Sequence, residues 1–380
     1  MSDSFTRTTR QNYFQRLGNS FAGMLIGLVL LFAAPILLFW NDGRAVEAQR
    51  ALAAAGRGAI SLSSPEAVAS NEGQLVHAIG DLTATTPAPV GTIAVAPPPT
   101  LVLERTVEMY QWQETSQSET RNKLGGTQET VTTYTYATAW SASAIDSSAF
   151  AEPSAARVNP PMAYESEVTV AQGARLGQLA LPAAALRSLD ATTPFIPETA
   201  PEGWTRTPEG LYRGAGAPEA PQVGDLRVSW TFVPVGARAS VLARQSGNGL
   251  EAWSPKGSNY RLFKLELGER SADAMIASQL EAENFLTWVL RAVGTVLCIS
   301  AFALLLGPLK ALANVIPPVA WLIGSATGIV AVGLGVLLAF VTIAVAWIIF
   351  RPLIGIALIV VGVGAWLATR GGFGKKPVAA

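Results

Sequence analysis

Residues 30–49 read LLFAAPILLFWNDGRAVEAQ, an apolar run that stops at Trp40 and is followed at once by an amide, an acid, a glycine and an arginine. A cleaved secretory signal, a soluble core helix and a membrane anchor can all contain such a run, and the compartment of everything after Asn41 depends on which it is. A spanning helix needs about 20 predominantly apolar residues. Phe21 to Trp40 meets that length without a charge and follows Arg7, Arg10 and Arg16. A cleaved signal has an apolar region of roughly 7–15 residues closed by small side chains. This run ends instead in the bulky pair Phe39-Trp40, whose indole suits a bilayer interface. It reads as a retained signal anchor with its N-terminus in the cytoplasm. The residues after Trp40 carry a turn signal, and Arg44 to Ala55 reads as a short Ala-rich helix leaving the bilayer, with Glu47 and Arg50 at i,i+3.

Composition agrees. Half of the 380 residues are hydrophobic and 14% are charged, against roughly 25% charged in an average soluble domain. Net charge is zero but unevenly placed: residues 41–286 hold 26 Asp and Glu against 18 Lys and Arg, while the remainder holds 9 Lys and Arg against Asp3 alone. That split speaks for two compartments, not for a nucleic-acid-binding chain. Basic flanks stay cytoplasmic, and a long domain crosses largely regardless of its charge. The single cysteine, Cys298, excludes an intrachain disulfide and a Cys-based metal cluster. Arginine outnumbers lysine 21 to 6, a hint of a GC-rich prokaryotic genome.

Three further apolar stretches follow in the C-terminal quarter: Ala292 to Leu309, Val319 to Phe350, and Pro352 to Thr369 before Arg370, Lys375 and Lys376. FRPL at 350–353 permits only a tight connection, because Pro352 breaks the helical hydrogen-bond pattern. The 32-residue stretch exceeds what a bilayer requires and predicts a tilt or an interfacial start. The predicted organisation is a cytoplasmic tail (1–20), spans at 21–40, 287–309, 319–350 and 352–369, an extracytoplasmic domain over 41–286 and a cytoplasmic tail (370–380). The spans contain Gly23 and Gly27, and again Gly324 and Gly328, at GxxxG spacing. Such glycines let helix backbones approach closely, within one four-helix bundle or, as the sharper reading, between copies of the chain.

Within 41–286, RTVEMYQWQE and ETVTTYTYATAW alternate strongly. Tyr110 and Trp112 share one face of the first, and Tyr134, Tyr136 and Trp140 one face of the second. With NKLGG between them they predict an antiparallel hairpin. Pro160 to Pro221 reads as loops and short helices, and DLRVSWTFVPV, ARASVLARQ and YRLFKLELG as a second β-rich block. Gly268 ends that block, and Ser271 is placed to cap the helix leading to the second span. The domain is expected to be α+β and β-rich.

Catalytic and ligand motifs are hard to find. His77, the only histidine, lies in a strand-like GQLVHAIGDLT without ligand or catalytic partners at readable spacing, and reads as a structural residue. No nucleophile elbow, P-loop or metalloprotease motif is present. No cofactor or metal is expected. The four spans contain no Asp or Glu, whereas ion and proton pathways usually leave ionisable groups inside the membrane. Arg291 and Arg351 lie at span edges, where they can snorkel to headgroups or pair with Asp42, Glu281 or Glu283.

Taken in order, RLGNSFAGMLIGL, NDGRA, NEGQLVHAIGDL, VEMYQW, YTYATAW with a downstream NP, VGDLRVS, TWVLRAVG and FRPL resemble the transmembrane protein 43 (LUMA) family almost end to end. The resemblance implies one N-terminal span, a large lumenal or extracytoplasmic domain and three closely spaced C-terminal spans. It marks Gly43, Arg44, Asp225, Arg227, Arg291 and Arg351 as matching positions without assigning them chemistry. It also implies association with the endoplasmic reticulum and inner nuclear membrane in eukaryotic relatives, with membrane organisation, self-association and lamina contacts. A prokaryotic chain could keep none of the nuclear partners, and its domain would face outward from the inner or plasma membrane.

The resulting expectation is a non-enzymatic, four-span organiser or scaffold. Its partners would be membrane lipids, other membrane proteins and a second copy of itself, with no nucleic acid; the aromatic hairpin around Trp112 and Trp140 is the candidate contact surface. A channel, a transporter or a regulatory subunit of one is the alternative. An extracytoplasmic hydrolase ranks last, because no nucleophile–base pair is legible.

Overall fold

The computed structural model describes residues 3–123, 127–313, 317–352 and 360. It divides into two compact units, residues 1–8, 53–119 and 131–278 forming one, and residues 9–52, 120–130 and 279–380 the other.

The first unit is built on two sheets. One runs in the order β1 (Asp3–Gln11), β5 (Gln128–Ser141), β4 (Thr100–Asn122), β12 (Leu226–Pro234), β11 (Gly210–Arg213), β10 (Thr205–Thr207), with β6 (Glu167–Val170) on β4 and β9 (Thr193–Phe195) on β12. The other runs β15 (Lys264–Leu267), β13 (Arg238–Ser246), β14 (Gly249–Glu251), β8 (Leu179–Ala180), β7 (Arg175–Leu176), β3 (Leu75–Thr83), β2 (Ile60–Ser61), with β13 also on β3. Strands β3 and β13 pair antiparallel over seven residues, Arg238↔Asp81 to Arg244↔Leu75. Both are rich in Val, Leu and Ala and are buried on both faces for most of their length, as central strands are. The core gathers Val76, Leu82, Val241 and Leu265 from this sheet with Leu101 and Val233 from the other.

The expected β-rich character is present, and the second β block stands where the sequence puts it. Helix is scarcer than "α+β" implies: apart from the end of α1 and the start of α3, the described part of this domain holds one four-residue helix, α2 (Ala183–Leu186), and two 3-10 turns. Residues 160–221 are mostly loop and turn, as read, but the short elements among them are six strands, β6 to β11, with α2 the one helix among the described residues. The hairpin forms, and it is longer than its apolar alternation. Beyond Glu114 the strands are joined by hydroxyls, Ser118 to Thr132 at 2.8 Å and Thr120 to Thr130 at 3.1 Å. Residues 3–11, expected as part of a tail, form β1 on β5, with Phe5 stacked on Tyr134 at 6.1 Å.

Three helices, which make up most of the second unit and whose ends at 53–58 and 272–278 belong to the first, are long and apolar enough to cross a membrane: α1 (Tyr13–Gly58), α3 (Ala272–Leu305) and α5 (Pro317–Phe350), the last over Ile323–Phe350. A short α4 (Gly307–Ala313) follows α3, so the second helix stops at Leu305, short of the predicted 309. The expected fourth span, 352–369, lies outside the described residues apart from 352 and 360. Ser271 caps α3 as read, its Oγ accepting from Ala274 N at 3.2 Å.

One expectation is overturned. Arg44 to Ala55 is not a separate helix: α1 runs unbroken through Asn41-Asp42-Gly43 for 46 residues. The turn signal loses because each of its residues is used in helix packing. Asn41 donates to Thr287 O at 3.0 Å, Asp42 pairs with Arg291, and a Cβ on Gly43 would lie 2.8 Å from the Phe350 ring.

Helices α1 and α3 pack antiparallel. Gly27 faces Ala301 and Leu304, Leu38 faces Gly294, and Gln49 faces Asn284. Gly335 of α5 in turn faces Ile299 of α3. Away from this seam, Phe21, Leu25, Val29, Phe32, Ile36 and Trp40 form an exposed stripe, with Phe32 at 64% and Ile36 at 68% exposure. An exposed apolar stripe of this length marks an interaction or membrane surface.

Candidate functional site

Two clusters collect the residues that the sequence singles out. The first lies in the helical unit. From α1, Asn41, Asp42, Arg44 and Gln49 recur at helical spacing on the side facing α3. From α3, Glu283, Asn284, Thr287 and Arg291 recur at i,i+4 and i,i+8. Arg44 pairs with Glu283 and donates to Thr287 Oγ1 at 3.3 Å. Arg291 pairs with Asp42 and lies 5.1 Å from the Trp288 ring and 5.6 Å from that of Trp347. Arg351 donates to Gln49 Oε1 at 2.6 Å, and Arg50 to Phe350 O at 2.8 Å. Isolated charges buried between helices in this way would cost several kcal/mol each, and pairing offsets that cost. The arrangement staples α1 to α3 and to the end of α5 where their apolar stretches stop.

The second cluster lies in the β-rich unit. Asp225, at 2% exposure, stands at the entrance to β12. Its carboxylate accepts from Tyr212 Oη at 2.5 Å, Gln222 N at 2.7 Å, Ala215 N at 2.9 Å and Gly216 N at 3.1 Å. Any Cβ on Gly214 or Gly216 would collide with that carboxylate, which explains the glycines. Burial pushes the Asp225 carboxyl up, but the Tyr212 hydroxyl and the three backbone donors outweigh it and hold it below the usual carboxylate range. Burial, then the adjacent Asp225, push the Tyr212 phenol well above its ordinary value. Beside this loop Arg227 donates to Glu108 Oε2 at 2.6 Å across the β12–β4 ladder and lies 4.7 Å over the Trp140 ring. Trp140 packs edge-on against Tyr110 at 5.3 Å and Tyr212 at 6.4 Å. Glu108, Trp140, Tyr212 and Arg227, together with Glu209 and Glu219, line an open cavity of about 340 Å³.

The structure therefore brings together Tyr110, Trp140, Asp225 and Arg227, and separately Gly43, Arg44, Arg291 and Arg351. Trp112 joins neither group. Its backbone is clasped by Asn159, which accepts from its N–H at 2.7 Å and donates to its carbonyl at 2.9 Å. Tyr136 is core, 1% exposed with Arg157 over its ring. His77 is structural: Nε2 meets Arg270 O at 2.8 Å and Nδ1 meets Ser61 Oγ at 3.3 Å. Of the packing glycines, Gly27 meets α3 tightly and Gly23 loosely, while among the described residues Gly324 touches only the Lys310 stem and Gly328 has nothing within 4 Å. Asn41, Thr287, Tyr212 and Gly294 were missed. The i,i+4 polar series at 283, 287 and 291 was the available signal for Thr287.

Among the described residues, no group of three or more His, Cys, Asp or Glu is placed to hold a metal ion.

Comparison with known proteins gives one consistent result. The family model described as transmembrane protein 43 matches residues 109–352. The chain is 28% identical over 364 residues to transmembrane protein 43 of Rattus norvegicus, covering 92% of this chain and 89% of the relative. It is 28% identical over 362 residues to the Homo sapiens protein (91% and 89%). Against the transmembrane protein 43 homolog of Drosophila melanogaster it is 27% identical over 358 residues (90% and 93%). No solved structure matches significantly.

Proposed function

This chain belongs to the transmembrane protein 43 family, and from that premise we propose that it is a non-enzymatic organiser of membrane proteins. It is an integral membrane protein with several apolar helices. The reading is carried by the disposition of its charges: Asp42, Arg44, Glu283 and Arg291 spend themselves on one another at the ends of the helices. That is what a bundle built for rigidity requires. A transport path would use such groups along its length. The cavity beside Trp140 and Arg227 is the surface offered to a partner protein.

The proposed topology keeps residues 1–20 and 370–380 in the cytoplasm and 41–286 on the far side, with a fourth span at 352–369. The basic flanks support it. It requires β1 to leave β5 on insertion, because polar strand edges cannot cross hydrocarbon unpaired.

Crosslinking in native membranes tests the organiser role. Recurrent neighbours or self-crosslinked chains are expected, weakened by Trp140→Ala; recovery of isolated monomers alone speaks against it.

A further inference from the structure

The helical unit holds a second cavity, of about 290 Å³, whose lining includes Gln49, Asn284, Trp288, Arg291, Trp347 and Arg351. Two guanidiniums line it and no carboxylate does. Asp42, which neutralises Arg291, is not part of the lining and is 2% exposed. Arg351 meets only a neutral amide, Gln49 Oε1, among the described ion pairs and hydrogen bonds of its side chain. The lining thus carries one uncompensated positive charge. Trp347 adds an indole N–H that is buried without an acceptor among the described residues. A buried donor left unpaired in a native site calls for an absent acceptor. The surroundings are those of a bilayer interface: Trp40 is exposed nearby in sequence, and two tryptophans flank the arginines.

Cation, N–H donors and indole faces at the end of apolar helices match one chemistry. We propose that this cavity binds the phosphate of an anionic lipid headgroup, with Arg351 as the principal charge partner, Arg291 and Trp347 as further donors and Trp288 as a packing wall. Guanidinium is suited to this, because its fork of donors matches phosphate oxygens and is weakly hydrated. The inference rests on the membrane reading, since a headgroup reaches the site only if α1, α3 and α5 are inserted.

The full chain in an uncharged detergent, titrated with short-chain phosphatidylglycerol, phosphatidylcholine or inorganic phosphate, gives the test by native mass spectrometry. Phosphatidylglycerol is expected to bind about tenfold more tightly than phosphatidylcholine, and Arg351→Gln to remove most of that preference while Arg351→Lys retains part of it. Arg351 is chosen because Arg291 also carries the Asp42 pair, and a cooperative thermal transition in the Arg351 variants, lowered by no more than loss of the Gln49 contact requires, shows that the bundle is still folded. Displacement of the lipid by millimolar phosphate, dependent on Arg351, supports phosphate recognition. Equal binding of the two lipids, or no effect of Arg351→Gln, overturns the proposal, as does binding of free phosphate without lipid binding. Alkaline extraction of membranes separates the failures: a chain that stays in the pellet without lipid preference refutes only the headgroup site, and a released chain refutes the membrane reading with it.

Discussion

Arg291 of α3 closes on Asp42 of α1, with Nε 3.2 Å from Asp42 Oδ1 and Nη2 donating to the same oxygen. Asp42 is 2% exposed, so the pair is held largely away from water. Breaking a buried pair by altering one partner leaves an uncompensated charge and costs about 3–5 kcal/mol. Arg291→Glu should therefore lower the thermal stability of the detergent-solubilised chain sharply, and the exchange Asp42→Arg with Arg291→Asp should recover part of it. Unchanged melting of Arg291→Glu would show that the pair contributes nothing.

Gly27 and Gly328 look alike in the sequence and differ in their surroundings. A Cβ at Gly27 would lie 2.8 Å from Ala301 O and 2.9 Å from Leu304 Cβ, whereas one at Gly328 meets nothing within 4 Å among the described residues. Gly27→Leu is expected to destabilise by about 1–3 kcal/mol through overpacking. Gly328→Leu should leave thermal unfolding unchanged. Equal losses at both would refute the helix seam described for α1 and α3.

Asp225 gives a pH dependence of definite sign. Its folded-state pKa lies below the ordinary aspartate value, so it stabilises the fold above the unfolded pKa of about 3.9 and loses that contribution as pH falls through the folded value. Melting curves of the wild-type chain should drop below about pH 4, and Asp225→Asn should flatten that part of the profile. Asp225→Ala, which strands the buried Tyr212 hydroxyl and three backbone N–H donors, should cost about 1–3 kcal/mol at neutral pH. A wild-type profile that is no steeper than that of Asp225→Asn contradicts the assignment.

Much of this was legible before the structure, for physical reasons. The helices follow from apolar runs, and β12, β13 and the inner hairpin follow from alternation, because burial of one face writes a period into the sequence. Asn41-Asp42-Gly43 misled because the same residues that turn a chain in water also make good inter-helix contacts. Nothing local says that Thr287, Arg291 and Phe350 await them. β1, DSFTRTTRQ, and the outer part of β4 have no apolar stripe and are joined largely by hydroxyl and backbone pairing, which leaves no periodic trace. In the Asp225 cluster, Tyr110, Trp140 and Arg227 were readable as strand residues. Tyr212 was not, since it reaches Asp225 only through the pairing of β11 with β12.

The central claim, that α1 crosses the bilayer and separates the N-terminal residues from the β-rich domain, is tested most directly by thiol accessibility. Cysteine is placed singly at Ser4, on β1, and at Ser118, on the hairpin, with Cys298→Ala removing the native thiol, and sealed vesicles of known orientation are treated with an impermeant maleimide. Ser4→Cys should label only from the cytoplasmic face and Ser118→Cys only from the opposite one. Labelling of both from the same face would mean that β1 stays on β5 and that α1 does not span.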